Sequence, residues 1–352
     1  MNLSDFDYIL PEELIAQTPI EPRDNSRLLI FDKSNGNLEE KRFFNIVDYL
    51  GENDVLVLNE TRVINARLRG VIDIFPRGKK EEKQVEIFLH KQINLDTWEC
   101  LGYPGKNLKV GRNIRIYDNK GSLILNGLIE KVSEMGRFIK FDKSGLDFLE
   151  TIDNFGELPL PPYITEKLEN SERYQTVFSK DHGSAAAPTA GLHFTKELLE
   201  KLENLGVKIE KVLLHVGVGT FKPVETEDLT KHYMHSEYIE IKKEVAERLN
   251  KYKKEGKNIV AVGTTCVRVL ESFSDENGIL NYGNKETNIF IYPGYKWRFV
   301  NSLITNFHLP KSTLLMLVSS LGGTENIMKA YSYAIKNKFR FFSFGDALFI
   351  KK

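Results

Sequence analysis

Residues 67–151 contain six short runs in which apolar and polar side chains tend to alternate: RLRGVIDIF (67–75), KQVEIFLH (83–90), TWECLGY (97–103), RNIRIYD (112–118), LILNGLIEKV (123–132) and GRFIKFD (136–142). Turn-forming residues separate the runs, and no convincing helical pattern interrupts them. Alternation with a period of two is typical of strands that bury one face. The stretch therefore predicts a small antiparallel β-barrel or sandwich. Its charged segment PRGKKEEK (76–83) is expected to be an exposed hairpin tip.

The sequence on both sides of this stretch has a different pattern, in which helices and strands alternate. The predicted helices are KELLEKLENLG (196–206), KKEVAERLNKYKKEG (242–256), CVRVLESF (266–273), STLLMLVSSL (312–321) and ENIMKAYSYAIKNK (325–338). The predicted strands are RLLIFD (27–32), DVLVLN (54–59), VKIEKVLLHVGVG (207–219), NIVAVG (258–263), NIFIYPG (288–294), FVNSLITNF (299–307) and FRFFSF (339–344). This alternation predicts a mixed α/β main domain. We expect that domain to be discontinuous, from 1–66 and 152–352, with a β-barrel domain inserted at 67–151.

Composition excludes several classes of protein. The 352 residues carry 49 basic and 49 acidic side chains, so the chain is not built for indiscriminate polyanion binding. The apolar run TLLMLVSSL (313–321) is too short to cross a bilayer, and the acidic N-terminus does not resemble a secretory signal. Cys100 and Cys266 lie far apart and offer no disulfide framework or metal motif. These features predict a soluble protein of the cytoplasm.

The uncharged stretch AAAPTAGLHFT (185–195) is the first candidate for a site. It has one ionisable side chain, His193, and a helical pattern begins directly after Thr195. Small residues let a ligand approach the backbone, and the N–H groups of a helix start favour negative charge. We therefore expect a ligand-binding turn, with Thr189 and Gly191 against the ligand. The alternative is a buried turn between domains with a structural histidine.

A second candidate loop follows the strand predicted at 207–219. His215 stands near the strand end with two glycines just beyond it, and Lys222 and Glu225 follow as a charge partner and a base. The glycines, Gly217 and Gly219, do not complete a dinucleotide-binding motif, because the third glycine and the helix are missing. An ordinary surface pair of Lys222 and Glu225 is the alternative.

Two further strand ends carry polar residues before a predicted helix. IVAVGTTCVRVLES (259–272) offers Gly263, Thr264 and Thr265 to an anion, with Arg268 one turn later as a clamp. Plain helix capping by one of the threonines explains the same residues.

The last candidate segment, ITNFHLPKSTLLMLVSSLGG (304–323), places Asn306, His308 and Lys311 before an apolar helix. Asp346 follows a glycine near the end of the chain, where a simple turn residue is the plainer interpretation. Three histidines in similar loops suit acid–base chemistry without a metal.

Taken in order, eight segments of the chain closely resemble the S-adenosylmethionine:tRNA ribosyltransferase-isomerase family of queuosine biosynthesis. They are FDYILPEELIAQTPIEPRDNSRLL, LVLNETRVINARLRG, GELPLPPYI, ERYQTVFSKDHGSAAAPTAGLHFT, LHVGVGTFKPV, VGTTCVRVLES, TNFHLPKSTLLMLVSSLGG and FFSFGDALFI. The departures are Asn65 where the family usually has proline, Cys266 where it has serine, and Phe344 where it has tyrosine. The predicted β-barrel segment matches only loosely.

The resemblance implies a fold of the kind predicted above and an unusual reaction. The family uses S-adenosylmethionine as a ribosyl donor and acts on 7-aminomethyl-7-deazaguanine at the wobble position of a tRNA. The products are epoxyqueuosine-tRNA, adenine and methionine, and no step demands a metal.

Within that reaction we expect His193 and His215 to transfer protons, with Glu225 as a reserve base. The expected contacts of S-adenosylmethionine are Thr189, Gly191, Gly217, Gly219, Gly263, Thr264, Thr265 and Arg268. The expected contacts of the target base and tRNA are Arg173, Tyr174, Gln175, Lys222, Asn306, His308 and Lys311. Further phosphate contacts are expected from Lys79, Lys80, Arg112 and Arg115 of the β domain. The protein is expected to be a monomer or a weak homo-oligomer.

Two other classes of function are consistent with parts of the sequence. An S-adenosylmethionine methyltransferase would release S-adenosylhomocysteine, but the glycine-rich loop of that class is missing. A noncatalytic RNA-binding protein would use the β domain and would leave the three loop histidines without a purpose. Release of free adenine and methionine separates the predicted reaction from both.

Overall fold

The computed structural model describes residues 2–118, 120–133, 135–217, 229 and 234–352. The chain divides into two compact units. The first contains Met1–Thr61, Pro162–Asp181 and Ala187–Lys352, and the second contains Arg62–Pro161 and His182–Ala186. The boundaries at 67 and 151 stay a prediction, whereas the predicted architecture, a mixed α/β domain with a small antiparallel barrel, is confirmed.

The β-strands are numbered in the order in which they occur along the chain. They are β1 (Arg27–Asp32), β2 (Leu38–Arg42), β3 (Asp54–Asn59), β4 (Thr61–Val63), β5 (Arg67–Ile74), β6 (Glu81–Gln92), β7 (Thr97–Tyr103), β8 (Asn113–Tyr117), β9 (Leu123–Val132), β10 (Arg137–Phe141), β11 (Asp181–Ser184), β12 (Lys208–Leu214), β13 (Glu237–Ile241), β14 (Asn258–Val262), β15 (Gly283–Thr287), β16 (Ser302–Asn306) and β17 (Ala347–Lys351). The α-helices are α1 (Gly145–Phe155), α2 (Lys196–Asn204), α3 (Lys243–Lys254), α4 (Thr264–Phe273), α5 (Thr313–Gly322) and α6 (Thr324–Lys336).

The second unit contains a closed barrel of six strands in the order β10-β7-β6-β5-β8-β9. All its strand pairs are antiparallel. The alternating side chains point into the barrel at buried positions such as Ile72, Ile87 and Trp98. Closure removes the exposed sheet edges that would otherwise pair with other chains. The sequence pattern missed α1, whose residues begin inside the stretch predicted as all-β.

The first unit contains a nine-stranded mixed sheet in the order β15-β13-β12-β3-β14-β16-β17-β1-β2. Its central strands are almost fully buried, as expected for strands covered on both faces. The five predicted helices are all present. In α2, Leu198 and Leu202 are buried, and Gly206 ends the helix with a φ of 89°.

Two predicted strands of the first unit are wrong. NIFIYPG (288–294) is irregular, and the strand lies just before it, at β15. FRFFSF (339–344) is also not a strand, because the sheet is completed instead by β17, which begins three residues later. No helix in the described ranges is both long and apolar enough to cross a membrane.

Candidate active site

One edge of the nine-stranded sheet collects the candidate residues. β12, β3, β14 and β16 are mutually parallel, so their carboxyl ends meet at this edge. β17 runs antiparallel to β16, and β1 runs parallel to β17, so the amino ends of these two strands lie at the same edge. Because β3 and β14 lie between β12 and β16, the carboxyl ends of β12 and β16 lie about 14 Å apart.

His193 lies at the β16 end of this edge, in a short 3₁₀ turn over Thr189–His193. His193 is 5% exposed, and its imidazole stacks on the ring of Phe43, with the ring centroids 4.9 Å apart. Nδ1 lies 2.7 Å from Oγ of Ser26, and Nε2 lies 3.1 Å from Nδ2 of Asn306. Burial, together with the positive charges of Arg340 and Arg23, lowers the pKa of His193 to about 3.

The contacts of Asn306 fix the proton of His193. Nδ2 of Asn306 also lies 3.2 Å from the carbonyl oxygen of Phe342, which can only accept a hydrogen bond. The same NH₂ group therefore donates to Nε2 of His193, which must be unprotonated. The ring proton then sits on Nδ1 and is donated to Ser26. Oδ1 of Asn306 accepts from the hydroxyl of Thr189 at 2.9 Å, so every group of this amide has a partner.

Gly263 brings the end of β14 to the same place. A Cβ added at Gly263 would lie 3.6 Å from Cβ of Ala190, so the two loops are neighbours. Gly263 has a φ of 88° and stands at the N-cap of α4, where no side chain caps the helix. The alternative of capping by Thr264 or Thr265 is therefore not what the structure contains. Thr264 is buried, and the hydroxyl oxygen of Thr265 is buried beside the thiol of Cys266.

His215 follows β12 at the other end of the edge. Its Nδ1 lies 2.8 Å from Oγ1 of Thr61, two residues after the end of β3. The ring stacks on Tyr238, with centroids 5.6 Å apart and planes at 20°. Burial lowers the pKa of His215 to about 4, against the charge of Asp181, which raises it. In the part of the chain that the structure describes, we find no hydrogen bond to its Nε2.

Arg268 has a different partner from the one predicted. Arg268 is 4% exposed, and its guanidinium forms an ion pair with the carboxylate of Glu237, at the amino end of β13. The other carboxylate oxygen of Glu237 accepts a hydrogen bond from the backbone N–H of Gly217 at 3.0 Å. Arg268 therefore holds the chain at the end of β12 through Glu237. The prediction that it clamps a ligand anion is not supported by this geometry.

Three other predicted contacts are corrected because their side chains are already used or buried. Asn306 is 2% exposed with its amide fully bonded, so it positions His193 and cannot read a base edge. Tyr174 is fully buried edge-to-face against Phe344 and is not available to stack on RNA. Gln175 is also buried, at 6% exposure.

The space that Gly191 leaves open is filled by the protein. A Cβ at this position would lie 2.8 Å from side-chain atoms of both Phe178 and Thr176. The glycine is therefore needed for packing, and the prediction that it admits a ligand is not supported by this geometry.

His308 and Lys311 are placed beyond β16 by contacts with other elements. Nε2 of His308 lies 2.8 Å from Oγ1 of Thr305, and burial lowers the pKa of His308 to about 3. Its backbone N–H donates to the hydroxyl of Tyr331 at 2.9 Å. Nζ of Lys311 forms an ion pair with Asp7 at 2.7 Å. Their proposed contacts with the substrate stay predictions.

Other predicted contacts are spread over the chain. Gly219, Lys222 and Glu225 lie outside the described residues. In the barrel, Arg115 and Lys80 both pair with Asp73, so part of the predicted basic surface is neutralised. Nη1 of Arg112 donates to the carbonyl of Asn107 at 2.9 Å. Lys79 is exposed. Among the described residues, no three His, Cys, Asp or Glu side chains form a group that could hold a metal ion.

Sequence reasoning missed the side chains that the amino end of β1 supplies. A small cavity beside His193 is lined by Arg23, Ser26 and Ser343, which were not predicted, and by Arg173, which was. Nearby, Asp346 is fully buried and is not a simple turn residue. Its carboxylate accepts from the backbone N–H groups of Arg27 and Arg340 at 2.8 and 2.7 Å, which fixes the start of β1 against β17.

The fold and site thus define an α/β protein with an inserted barrel and a polar site at the strand ends. A family model described as "Queuosine biosynthesis protein" matches residues 3–350. The chain belongs to this family, which confirms the resemblance found in the sequence.

Relatives in the family cover nearly the whole chain. It is 54% identical over 353 residues to the S-adenosylmethionine:tRNA ribosyltransferase-isomerase of Acetivibrio thermocellus, covering all of both chains. It is 52% identical to the protein of that name from Fusobacterium nucleatum, covering 99% of this chain and 96% of the relative. The crystal structure of the S-adenosylmethionine tRNA ribosyltransferase of Thermotoga maritima is similar, with a TM-score of 0.55 and 35% identity, covering 99% of this chain and all of that chain.

Proposed function

We propose that this protein transfers and isomerises the ribosyl moiety of S-adenosylmethionine onto the aminomethyl group of 7-aminomethyl-7-deazaguanine at the tRNA wobble position. The products are epoxyqueuosine-tRNA, adenine and methionine. The observation that carries this proposal is the full-length identity of 51–54% to relatives named for the activity. The row of strand ends supports it, because about 14 Å of one edge is a span that a nucleoside with an amino-acid tail can cover.

The buried histidines are the candidates for proton transfer. S-adenosylmethionine supplies a sulfonium, which acidifies the neighbouring ribose carbon and makes methionine a leaving group. A neutral imidazole is needed to accept that proton, and burial keeps the pKa of His193 near 3 and that of His215 near 4. Both rings are therefore neutral at pH 7, the state in which an imidazole can accept a proton. The same burial makes them weaker bases than a free imidazole, because a catalytic base works best with a pKa near the working pH.

The two rings differ in how readily they can do this. Nε2 of His193 already accepts a hydrogen bond from Asn306, which must be broken before this nitrogen takes a proton. His215 has one nitrogen held by Thr61, and the opposite nitrogen points away from that bond. We propose His215 as the principal proton acceptor and His193 as a second group whose ring position is fixed.

The start of α4 is the proposed contact for S-adenosylmethionine at the centre of the edge. Gly263 lacks a side chain and leaves the first-turn N–H groups of α4 without a side-chain cap. The buried hydroxyl of Thr265 provides a polar contact beside them. Thr189, on the neighbouring turn, completes the contact.

The tRNA is the proposed second substrate, and the cytoplasm is the proposed compartment. Arg173, on the first unit, and Lys79 and Arg112, on the barrel, are proposed to contact phosphates. We propose that one subunit, or at most a weak homo-oligomer, is sufficient for the reaction, and that no metal takes part.

Product analysis tests this function directly. The purified protein is incubated with S-adenosylmethionine and a tRNA that carries the precursor base, and the small molecules are separated by chromatography. We expect adenine and methionine in equal amounts, together with the modified tRNA. Release of S-adenosylhomocysteine would instead establish a methyltransferase, and tRNA binding without any product would establish a noncatalytic RNA-binding protein.

A further inference from the structure

A small cavity lies beside His193, and the proposed reaction assigns no ligand to it. Its volume is about 20 Å³, which is room for about one water-sized group. The polar residues that line it are Arg23, Ser26, Arg173, His193 and Ser343, with the backbone of Gly345. Among the described residues that line the cavity there is no carboxylate. Two guanidinium groups therefore face one small space without an acidic wall.

The two arginines are fixed mainly by uncharged groups of the backbone. Nη2 of Arg23 donates to the carbonyl of Glu172 at 2.8 Å, and Nη2 of Arg173 donates to the carbonyl of Ile20 at 2.7 Å. Arg173 also pairs with Glu21, whose side chain is 68% exposed. Burial and the charge of Arg173 lower the pKa of Arg23 to about 10, although Glu21 and Glu172 act in the opposite direction. The like charges repel each other, and a bound anion would relieve that repulsion.

One neutral group of the cavity, the hydroxyl of Ser26, is oriented as a donor. Nδ1–H of His193 donates to Ser26, so the hydroxyl proton of Ser26 is free to point to a ligand. Nε2 of His193 is occupied by Asn306 and offers no lone pair to the cavity. The hydroxyl of Ser343 shares a 2.7 Å hydrogen bond with Tyr163. A wall that combines cations and donors is suited to carboxylate or phosphate oxygens.

We propose that this cavity is an anion subsite that holds one carboxylate or phosphate group of a substrate, with Arg23 and Arg173 as its cations and Ser26 as its oriented donor. The proposal rests on the proposed function for the identity of that substrate. The anion is either the carboxylate of the methionyl group of S-adenosylmethionine or a phosphate of the tRNA. In the first case the methionyl carboxylate lies beside His193 and not at the start of α4.

The variant Arg23→Gln tests the subsite, and Arg42→Gln is its matched control. Arg42 lies in the same part of the chain, is exposed, and donates to the backbone carbonyl of Asn25 at 2.9 Å, but it does not line the cavity. The dissociation constants of S-adenosylmethionine and of the precursor tRNA are measured separately, by calorimetry and by fluorescence anisotropy. We expect Arg23→Gln to raise one of them at least tenfold and Arg42→Gln to change both less than twofold.

Two further measurements identify the source of the anion. If it is a tRNA phosphate, Arg23→Gln also reduces the slope of log Kd against log salt by about 0.7–0.9. If it is the methionyl carboxylate, the variant loses affinity for S-adenosylmethionine but binds 5′-methylthioadenosine, which has no carboxylate, as the wild type does. Wild-type affinity of Arg23→Gln for both substrates would overturn the proposal.

Inorganic phosphate provides a test that needs no variant, in case Arg23→Gln does not fold. Phosphate titrated into the wild-type protein should compete with the substrate whose anion the cavity holds, when chloride keeps the ionic strength constant. If phosphate competes with neither substrate, the proposal is overturned. A wild-type protein that releases no adenine would instead contradict the proposed function, and the binding results would still decide the anion subsite.

Discussion

The two ends of the sheet edge hold their histidines in different ways. At the β16 end, His193 is stacked on Phe43 and bonded through both ring nitrogens, to Ser26 and Asn306. At the β12 end, His215 is stacked on Tyr238 and bonded to Thr61 through Nδ1. The first ring is locked in one tautomer, whereas the second retains a nitrogen that can exchange a proton. Similar sequence contexts thus produced one imidazole held by hydrogen bonds at both nitrogens and another held only at Nδ1 among the described residues.

The largest expected effect is on turnover, at the β12 end. His215→Gln removes the proposed proton acceptor and keeps a side chain that can bond to Thr61. We expect adenine release to slow by about 10²–10⁴-fold, the usual contribution of a positioned acid–base group, with affinity for S-adenosylmethionine nearly unchanged. Single-turnover kinetics measure the rate, and Tyr238→Phe is a control that keeps the stacked ring. Turnover within threefold of the wild type would remove His215 from the mechanism.

The next effect concerns stability at the same end. Arg268→Met leaves the buried carboxylate of Glu237 without its cation and should destabilise the fold by about 3–5 kcal/mol. Urea unfolding measures the change. Adding Glu237→Gln to this variant should restore much of the loss, because no uncompensated charge then remains. If the double variant is less stable than Arg268→Met, the ion pair is not what holds this region.

At the β16 end, Asn306→Ala should cost about 1–3 kcal/mol, because His193, Thr189 and Phe342 each lose a partner. It should also allow the ring proton of His193 to sit on either nitrogen. Nitrogen-15 chemical shifts of the imidazole are expected to show Nε2 unprotonated in the wild type and a mixture of tautomers in the variant. A single unchanged tautomer would show that Asn306 does not fix the ring.

The smallest effect is on the pH dependence of stability. The pKa of His215 is about 4 when folded, below the ordinary value of 6.5, so the unfolded chain binds more protons between these values. The contribution of His215 to the free energy of unfolding is therefore complete above pH 6.5 and is lost as the pH falls toward 4. At pH 5 this histidine should account for about 1–2 kcal/mol of the loss. His215→Gln should show a shallower decline between pH 6.5 and 5, and an unchanged decline would contradict the low pKa.

The sequence predicted much of the fold because its elements have strong local patterns. The leucine spacing of α2 and the continuous apolar runs of β3 and β14 each satisfy one simple periodicity. FRFFSF is equally apolar, but it packs as an irregular segment while the following residues form β17. An apolar run shows that a segment is buried and leaves open whether it pairs with a neighbouring strand.

The site was predicted only in part, for a related reason. The strand-end positions of His193, His215 and Gly263 follow from local sequence. The contribution of Ser26 and Arg23 depends on the direction of β1 relative to β16, which two pairings far apart in the sequence determine. Tyr174 is an expected contact of the target base because it lies in a family-like motif, yet its ring is fully buried. Burial of that kind is decided by tertiary contacts.

The ends of β12, β14 and β16 are proposed to form one site for S-adenosylmethionine. Hydrogen exchange measured by mass spectrometry, with and without S-adenosylmethionine, tests it most directly. We predict that peptides covering residues 189–195, 213–217 and 263–266 gain protection together at the same ligand concentration. Protection confined to one of these segments, or to none of them, would contradict the account.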